Sequence, residues 1–187
     1  MEQKLEAYRR KRNFLKTSEP SGKEEKPVGV TKRKIFAVQL HYARTTHFDF
    51  RLEWDGVLLS WAVPKGPSFN PKDKRLAVRV EEHPLDYADF EGVIPKGEYG
   101  GGTVLLWDKG YWTETEDFAR GLEKGSLKLR LDGKRLKGGW ALVRLNDKDK
   151  AEDEKENWLL FKEKDSFAKD TSGLTGRERS GKSGRNH

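Results

Sequence analysis

The chain has 187 residues, 34% of them hydrophobic and 37% charged, which suits one domain with tails and a modest core drawn largely from 6 Trp, 9 Phe and 5 Tyr. It has no cysteine, which excludes disulfides, thiolate zinc sites and cysteine nucleophiles and leaves His, Asp and Glu to hold any metal. A net charge of +7 favours an anionic partner, nucleic acid above others, and with no secretory or membrane-length apolar run the expected setting is the cytoplasm, at the nucleoid, with no membrane role.

Residues 5–14 read as a short basic helix, with Leu5, Tyr8 and Arg9 at helical spacing. Residues 17–34 are rich in Pro, Gly, Ser and charge and read as a crossing arm. Strands are expected at 35–40, 47–54, 57–63, 75–81, 103–107, 127–131, 140–145 and 158–162. Asp108-Lys109-Gly110 and Asp132-Gly133 read as turns between them. One helix is expected at 114–124, opened by Thr113 with Glu116 three residues later as a capping box. About eight short strands with one or two short helices imply a mainly β fold, a compact antiparallel barrel. Three segments follow: an N-terminal helix and arm, 1–34, packed on the barrel; the barrel domain, 35–168; and a disordered basic tail or linker, 169–187. Residues 146–157 form a charged insertion between two strands.

The most informative stretch is His47-Phe48-Asp49-Phe50-Arg51-Leu52-Glu53-Trp54. Side chains two apart share a face of a strand, so Phe48, Phe50, Leu52 and Trp54 face a core while His47, Asp49 and Arg51 line the other side. Asp55-Gly56 signals a two-residue hairpin, which sets Leu52 opposite Leu59, Phe50 opposite Trp61, Arg51 opposite Ser60 and Asp49 opposite Ala62. The small partners leave space over the polar row.

Three of four histidines, His41, His47 and His83, lie in well-structured segments; with Asp49 they suggest a metal site with open positions for water and substrate. Arg51 suits bidentate phosphate binding, or a salt bridge to Glu53 or Glu81. In 75–83, Leu76, Val78 and Val80 are expected to point inward, with Arg75, Arg79 and Glu81 opposite and His83 at the strand end. Tyr87 reads either as a pocket hydroxyl or as a rim aromatic. Residues 92–102 form a glycine-rich loop that is neither a P-loop nor a dinucleotide fingerprint. Lys65, in the stiff Pro64-Lys65-Gly66-Pro67 turn, is a candidate phosphate contact. A non-haem iron oxygenase would share the His/Asp pattern, and a non-catalytic barrel clamping nucleic-acid ends would share the charge and aromatics.

The strings HYARTTHFDFRLEWDGVLLSWAVPKGPSFNP, KRLAVRVEEHPLDYADFEG and IPKGEYGGGTVLLWDKGYW resemble the 3′-phosphoesterase domain of bacterial DNA ligase D and its stand-alone bacterial and archaeal relatives. The resemblance runs from Tyr8 through Glu163. It implies a β-barrel, Mn²⁺-dependent hydrolase (Co²⁺ or Zn²⁺ being other candidate ions) that removes a 3′-terminal ribonucleoside and then the remaining 3′-phosphate, leaving a 3′-OH for non-homologous end joining. It implies DNA or RNA 3′ ends in a primer-template as substrate, ligase and polymerase domains in cis or in trans and Ku as partners, and a monomeric state. It implies that His41, His47 and Asp49 hold the metal and that Arg51, His83 and Tyr87 engage the scissile phosphate. Gln39, Lys65, Arg75 and Glu81 are implied in support, with Arg12 and Glu19 from the arm. The family commonly has Asp after that arginine; this chain has Asn13, which cannot supply the same charge. No KxDG ligase signature occurs, since Leu131-Asp132-Gly133 follows Arg130, so joining falls to another domain or protein.

Overall fold

The alternation of β2 (Thr46–Trp54) and β3 (Val57–Val63) builds the first hairpin. Asp55 and Gly56 both take positive φ, 51° and 81°, as a type I′ turn requires. The register read from that turn holds: Leu52 pairs Leu59, Phe50 pairs Trp61, Arg51 pairs Ser60 and Asp49 pairs Ala62. The structure, a computed structural model, describes residues 2–23, 33–146, 151 and 154–170. Most of the 169–187 tail and parts of the arm and the charged insertion lie outside the described residues.

The other strands are β1 (Lys34–Tyr42), β4 (Arg75–His83), β5 (Gly92–Ile94), β6 (Gly102–Glu114), β7 (Ser126–Gly133), β8 (Lys137–Arg144) and β9 (Asn157–Lys162). They run β1-β2-β3-β4-β9-β8-β7-β6, and β6 returns to pair β1, closing an eight-stranded antiparallel barrel; β5 adds to the free edge of β6. Closure leaves almost no open edge. The interior is packed solid. Trp61, Trp112, Trp140 and Trp158 are all buried, and Trp61 meets Trp158 edge-on with ring centroids 5.8 Å apart.

A second apolar cluster lies on the outer wall. Ala37, Leu58, Val104 and Leu106 of the strands pack there with Tyr87, Ala88 and Phe90, which belong to or follow a 3₁₀ turn at Leu85–Asp89. Tyr8 joins them from α1 (Glu6–Arg10), which follows a 3₁₀ turn at Glu2–Leu5. That helix is shorter than expected, because the chain turns at Lys11 and then bends back over the wall.

Four local expectations fail for long-range reasons. First, Asp108-Lys109-Gly110 is not a turn but the middle of β6. The Asp108 carboxylate accepts backbone N–H bonds from Lys109, Lys134, Arg135 and Leu136 at 2.7–3.1 Å, so it organises the β7–β8 turn instead. Second, Thr113 does not open a helix. It extends β6 against Arg130, and α2 (Phe118–Lys124) starts at Asp117, whose side chain accepts the Arg120 N–H. Third, the glycine-rich loop contains β5, and its end must be glycine: a Cβ on Gly102, at φ +139°, would meet the Tyr42 carbonyl oxygen at 2.0 Å. Fourth, the faces of β4 are inverted. Ala77 is the residue in the core, Leu76 is exposed, Val80 pairs Ser60 on the outer wall, and the Arg79 guanidinium lies 4.9 Å from the centre of the Trp61 ring. A shift of register between Leu58 and Ser60 then inserts an extra β4 residue and brings His83 to the outer face with Val80.

Replacing Asp108 by Asn leaves size unchanged but turns one acceptor oxygen into a donor, so two of the four amides lose their partner. The expected loss is about 2–4 kcal/mol in urea unfolding. A loss below about 0.5 kcal/mol would show that the β7–β8 turn does not need the carboxylate.

Candidate active site

The barrel interior is filled, so the polar row of β2 points outward and the site lies on the wall. Cross-strand pairing assembles it: His41 pairs His47, and Gln39 pairs Asp49. Ala62 and Val80, both short, floor a cavity of about 280 Å³ into which His41, His47, Asp49, Arg51, Glu81, His83, Tyr87 and Arg12 all open.

The donor atoms of His41, His47 and Asp49 lie within 4.8 Å of one another. His41 Nε2–H donates to the Gly100 carbonyl at 2.7 Å, which leaves Nδ1 as a lone pair 3.6 Å from an Asp49 oxygen. His47 Nδ1–H donates to the Thr45 carbonyl at 2.8 Å, which leaves Nε2 as a lone pair 3.4 Å from the other Asp49 oxygen. Backbone carbonyls thus fix both tautomers and turn two imidazole lone pairs and a carboxylate on one point. Ligand atoms around one divalent ion with bonds of about 2.0–2.2 Å sit roughly 3–4 Å apart, so this set fits a metal ion.

Beside it, Arg51 is only 2% exposed. Its Nε donates to Gln39 Oε1 at 2.7 Å and Nη1 to Ser60 Oγ at 2.8 Å, Nη2 is 3.4 Å from Asp49, and the guanidinium lies 4.7 Å from the centre of the Tyr87 ring. Gln39 in turn donates to the Tyr87 and Phe90 carbonyls, tying the 3₁₀ turn to the wall. The salt bridges to Glu53 or Glu81 read as alternatives for Arg51 do not form. Glu53 accepts the Ile35 amide, and Glu81 accepts from Lys11 and Arg12.

The N-terminal arm closes the other side. Arg12 donates to Glu19 at 2.9 Å and to Glu81 at 3.3 Å, and its Nη2 is 3.4 Å from His83 Nε2. Glu19 also accepts from Tyr87 Oη at 2.7 Å. Tyr8 stacks against Arg12 and lies 5.0 Å from the His83 ring. Asn13 stays outside the cavity; its exposed side chain caps the Leu15 amide, a role in which an amide oxygen serves as well as a carboxylate.

These contacts set the charges. Burial pushes the Asp49 carboxyl up, but the Arg51 guanidinium beside it outweighs that and holds it well below the usual carboxylate range. Burial lowers His83 well below an ordinary imidazole, and the Arg51 and Arg12 cations lower it further. Since His83 Nδ1–H donates to the Glu81 carbonyl at 2.9 Å, the neutral ring turns its Nε2 lone pair to Arg12. Burial raises the Tyr87 phenol well above its usual value, so it stays protonated and donates to Glu19.

Of the twelve residues singled out from sequence, eight line the cavity, and Gln39 and Glu19 brace it from behind. Lys65 is exposed in the turn after β3. Arg75 sits at the opposite end of β4 from His83, roughly 25 Å along the strand, with Asp73 3.7 Å away. Neither lines the cavity. Sequence reading overlooked Tyr8, Tyr99, Gly100 and Lys155. Tyr8 carried a signal, four residues before Arg12 on the helical face; Lys155 lies in a charged insertion with none.

Residues 39–144 match the DNA Ligase D 3′-phosphoesterase domain. The chain is 52% identical over 165 residues to the multifunctional non-homologous end joining protein LigD of Pseudomonas aeruginosa, covering 88% of this chain and 19% of that protein. It is 46% identical over 143 residues to the multifunctional non-homologous end joining DNA repair protein LigD of Mycobacterium tuberculosis, covering 76% and 18%. With the Mycolicibacterium smegmatis LigD it shares 41% identity over 169 residues, covering 87% and 21%. The chain therefore spans about a fifth of the length of these relatives.

The depressed His83 basicity has a consequence for stability. An unfolded histidine takes up its proton near pH 6.5, whereas folded His83 resists it to much lower pH, so the unfolded state binds more protons in between and stability falls as pH drops below about 6.5. In chelator, His83→Gln should flatten the decline between about pH 6.5 and 5 by up to about 1.4 kcal/mol per pH unit in urea titrations. Identical slopes in both proteins would mean that folded His83 takes up its proton as readily as the unfolded chain does.

Proposed function

Because the chain belongs to the DNA ligase D 3′-phosphoesterase family, we propose that it is a metal-dependent phosphoesterase that heals the 3′ ends of DNA or RNA during non-homologous end joining. In this reading it removes a 3′-terminal ribonucleoside as a phosphodiesterase, then the remaining 3′-phosphate as a phosphomonoesterase, and leaves a 3′-OH. It acts in the cytoplasm beside polymerase and ligase domains, in cis or in trans, with Ku holding the ends.

The observation that carries the proposal is the meeting of three convergent ligand atoms with two buried guanidiniums in one cavity. His41, His47 and Asp49 would hold the ion, with Mn²⁺ the first candidate and Co²⁺ or Zn²⁺ the next. A divalent ion there supplies Lewis acidity toward a phosphate oxygen and water. The chain's own residues do the rest. Arg51 is held by Gln39, Ser60 and Asp49 before substrate arrives, so its charge stabilises the transition state without reorganisation. Arg12 offers a second cation from the arm. An arriving phosphate competes for that guanidinium and frees the neutral His83 Nε2 to hold or move a proton at the ester oxygen. Tyr87 keeps the face of its ring under Arg51 and its hydroxyl on Glu19, positioning both elements. Glu81 orients Lys11 and Arg12. An oxygenase would leave the two guanidiniums without a task, and a pure clamp would leave the ligand cluster without one.

The test is a 5′-labelled primer-template ending in one ribonucleotide, incubated with metal-freed protein and a series of divalent ions. Mn²⁺ should give first the 3′-phosphate and then the 3′-OH product. Arg51→Ala and His83→Ala should each lower kcat by at least about 100-fold. Calorimetric Mn²⁺ binding should weaken by at least about tenfold in His41→Ala and Asp49→Asn. Undiminished turnover in excess chelator would overturn the proposal.

A further inference from the structure

The outer wall carries a second basic surface away from the catalytic cavity. It centres on Tyr111, a 44% exposed tyrosine on β6 that separates two hollows of about 360 Å³ each. Arg33 and Arg130 line one hollow and Lys134 the other. The Arg33 guanidinium lies 5.1 Å from the Tyr111 ring centre. Phe167, 43% exposed, closes the far rim. The acidic groups nearby are neutralised: Asp89 by Lys109 at 2.6 Å, Glu114 by Lys34 at 2.6 Å and Asp132 by Lys137 at 3.8 Å. Asp108 is buried under its four amides. Among the described residues, Arg33, Arg130 and Lys134 enter no ion pair, so three positive charges surround an exposed aromatic ring.

The same two strands join this surface to the catalytic cavity. β1 and β6 pair His41 with Val104 at the cavity and Ile35 with Tyr111 at the basic surface. Ile35, Ala37 and Leu106 in between pack in the outer cluster, so both ends lie on one wall. Six residues of strand set the separation at about 20 Å, which a nucleic-acid strand covers in about six nucleotides. Unpaired cations around an aromatic ring suit a sugar-phosphate backbone with a base or sugar against the ring.

We propose that the surface around Tyr111 is a second nucleic-acid contact, gripping the substrate backbone about six nucleotides upstream of the processed 3′ end. This rests on the phosphoesterase reading for the position of the 3′ end. It assigns Arg33, Arg130 and Lys134 to phosphates and Tyr111 to packing against a backbone sugar, and it makes affinity grow with duplex length once the substrate spans the wall.

Fluorescence anisotropy in chelator, with labelled 3′-OH primer-templates of about four and about twelve base pairs, reads the surface without turnover. The wild-type protein should bind the longer duplex at least about tenfold more tightly. The triple variant Arg33→Gln/Arg130→Gln/Lys134→Gln should lose most of that gain, and its log K against log salt slope should be shallower by about two to three. Tyr111→Ala should weaken the longer duplex alone. On the short substrate with Mn²⁺, the triple variant should turn over at the wild-type rate. Equal length dependence and equal salt slopes in wild type and triple variant overturn the proposal. If the wild type binds long duplexes through these residues yet processes no 3′ end with any divalent ion, the surface stands and the phosphoesterase reading falls. If it processes ends while the triple variant binds like wild type, the reverse holds.

Discussion

A buried guanidinium is the constraint from which the rest of the wall follows. Arg51 cannot lose its charge, and stripping water from it costs several kcal/mol unless its N–H groups and charge are met. Gln39 and Ser60 meet the N–H groups, Asp49 meets the charge, and Tyr87 covers the face of the fork. Each partner is then committed. Gln39 must also bind the carbonyls of Tyr87 and Phe90, which fixes the 3₁₀ turn on the wall. Asp49 must stay ionised, which places an anion between two imidazole lone pairs. A cation-binding cluster and a fixed anion-binding fork thus share one carboxylate.

The interior of the barrel could not host these groups. Four buried tryptophans and the aliphatic faces of eight strands fill it, and small barrels generally have side-chain-filled interiors. A site on the outer wall of a sheet is open to water, and an open site weakens every electrostatic contact in it. The chain solves this by folding its N-terminal segment back over the strands. Tyr8 seals the edge of His83, Arg12 spans Glu19 and Glu81, and Glu19 ties Tyr87 to the arm. The cover is itself charged, so it both excludes water and adds a cation.

What could be read from sequence was local. The Asp55-Gly56 turn sets the β2–β3 register by itself, and the alternation of β2 then places His47, Asp49 and Arg51 on one face whatever the rest of the chain does. His41 lies close in sequence on the neighbouring strand, so its arrival needs one more antiparallel pairing. Failures came where distant contacts decide. Asp108 looks like a turn former because its carboxylate does cap a turn, but the turn is 26–28 residues away. The faces of β4 are set by its pairing with β3, and the bulge beyond Val80 that places His83 is announced by no pattern within 75–83. Thr113 and Glu116 satisfy the spacing of a capping box, yet sheet pairing on both sides of β6 outweighs a helix start worth about 1 kcal/mol. Lys65 was read from its stiff turn and the supporting role of Arg75 from the family resemblance, and neither lines the cavity.

The charge balance of the cavity bears on how ion and substrate bind together. Arg51, Arg12 and Lys11 face Asp49, Glu19 and Glu81, so these three positive groups are matched by three negative ones, with Lys155 also on the lining. A divalent ion alone leaves two positive charges uncompensated in a half-dry cavity. A phosphate dianion alone leaves two negative charges. In the proposed reading the two would offset each other, fully for a phosphomonoester dianion and in part for a diester monoanion, so each would lower the electrostatic cost of the other, and reciprocity requires the coupling to be equal in both directions. The neutral state of His83 fits the same balance, since a third buried cation beside two guanidiniums would tip the free cavity positive. In the proposed reading, ligand geometry would select the ion and guanidinium geometry the phosphate, and the charge balance they share would make the site answer to both at once.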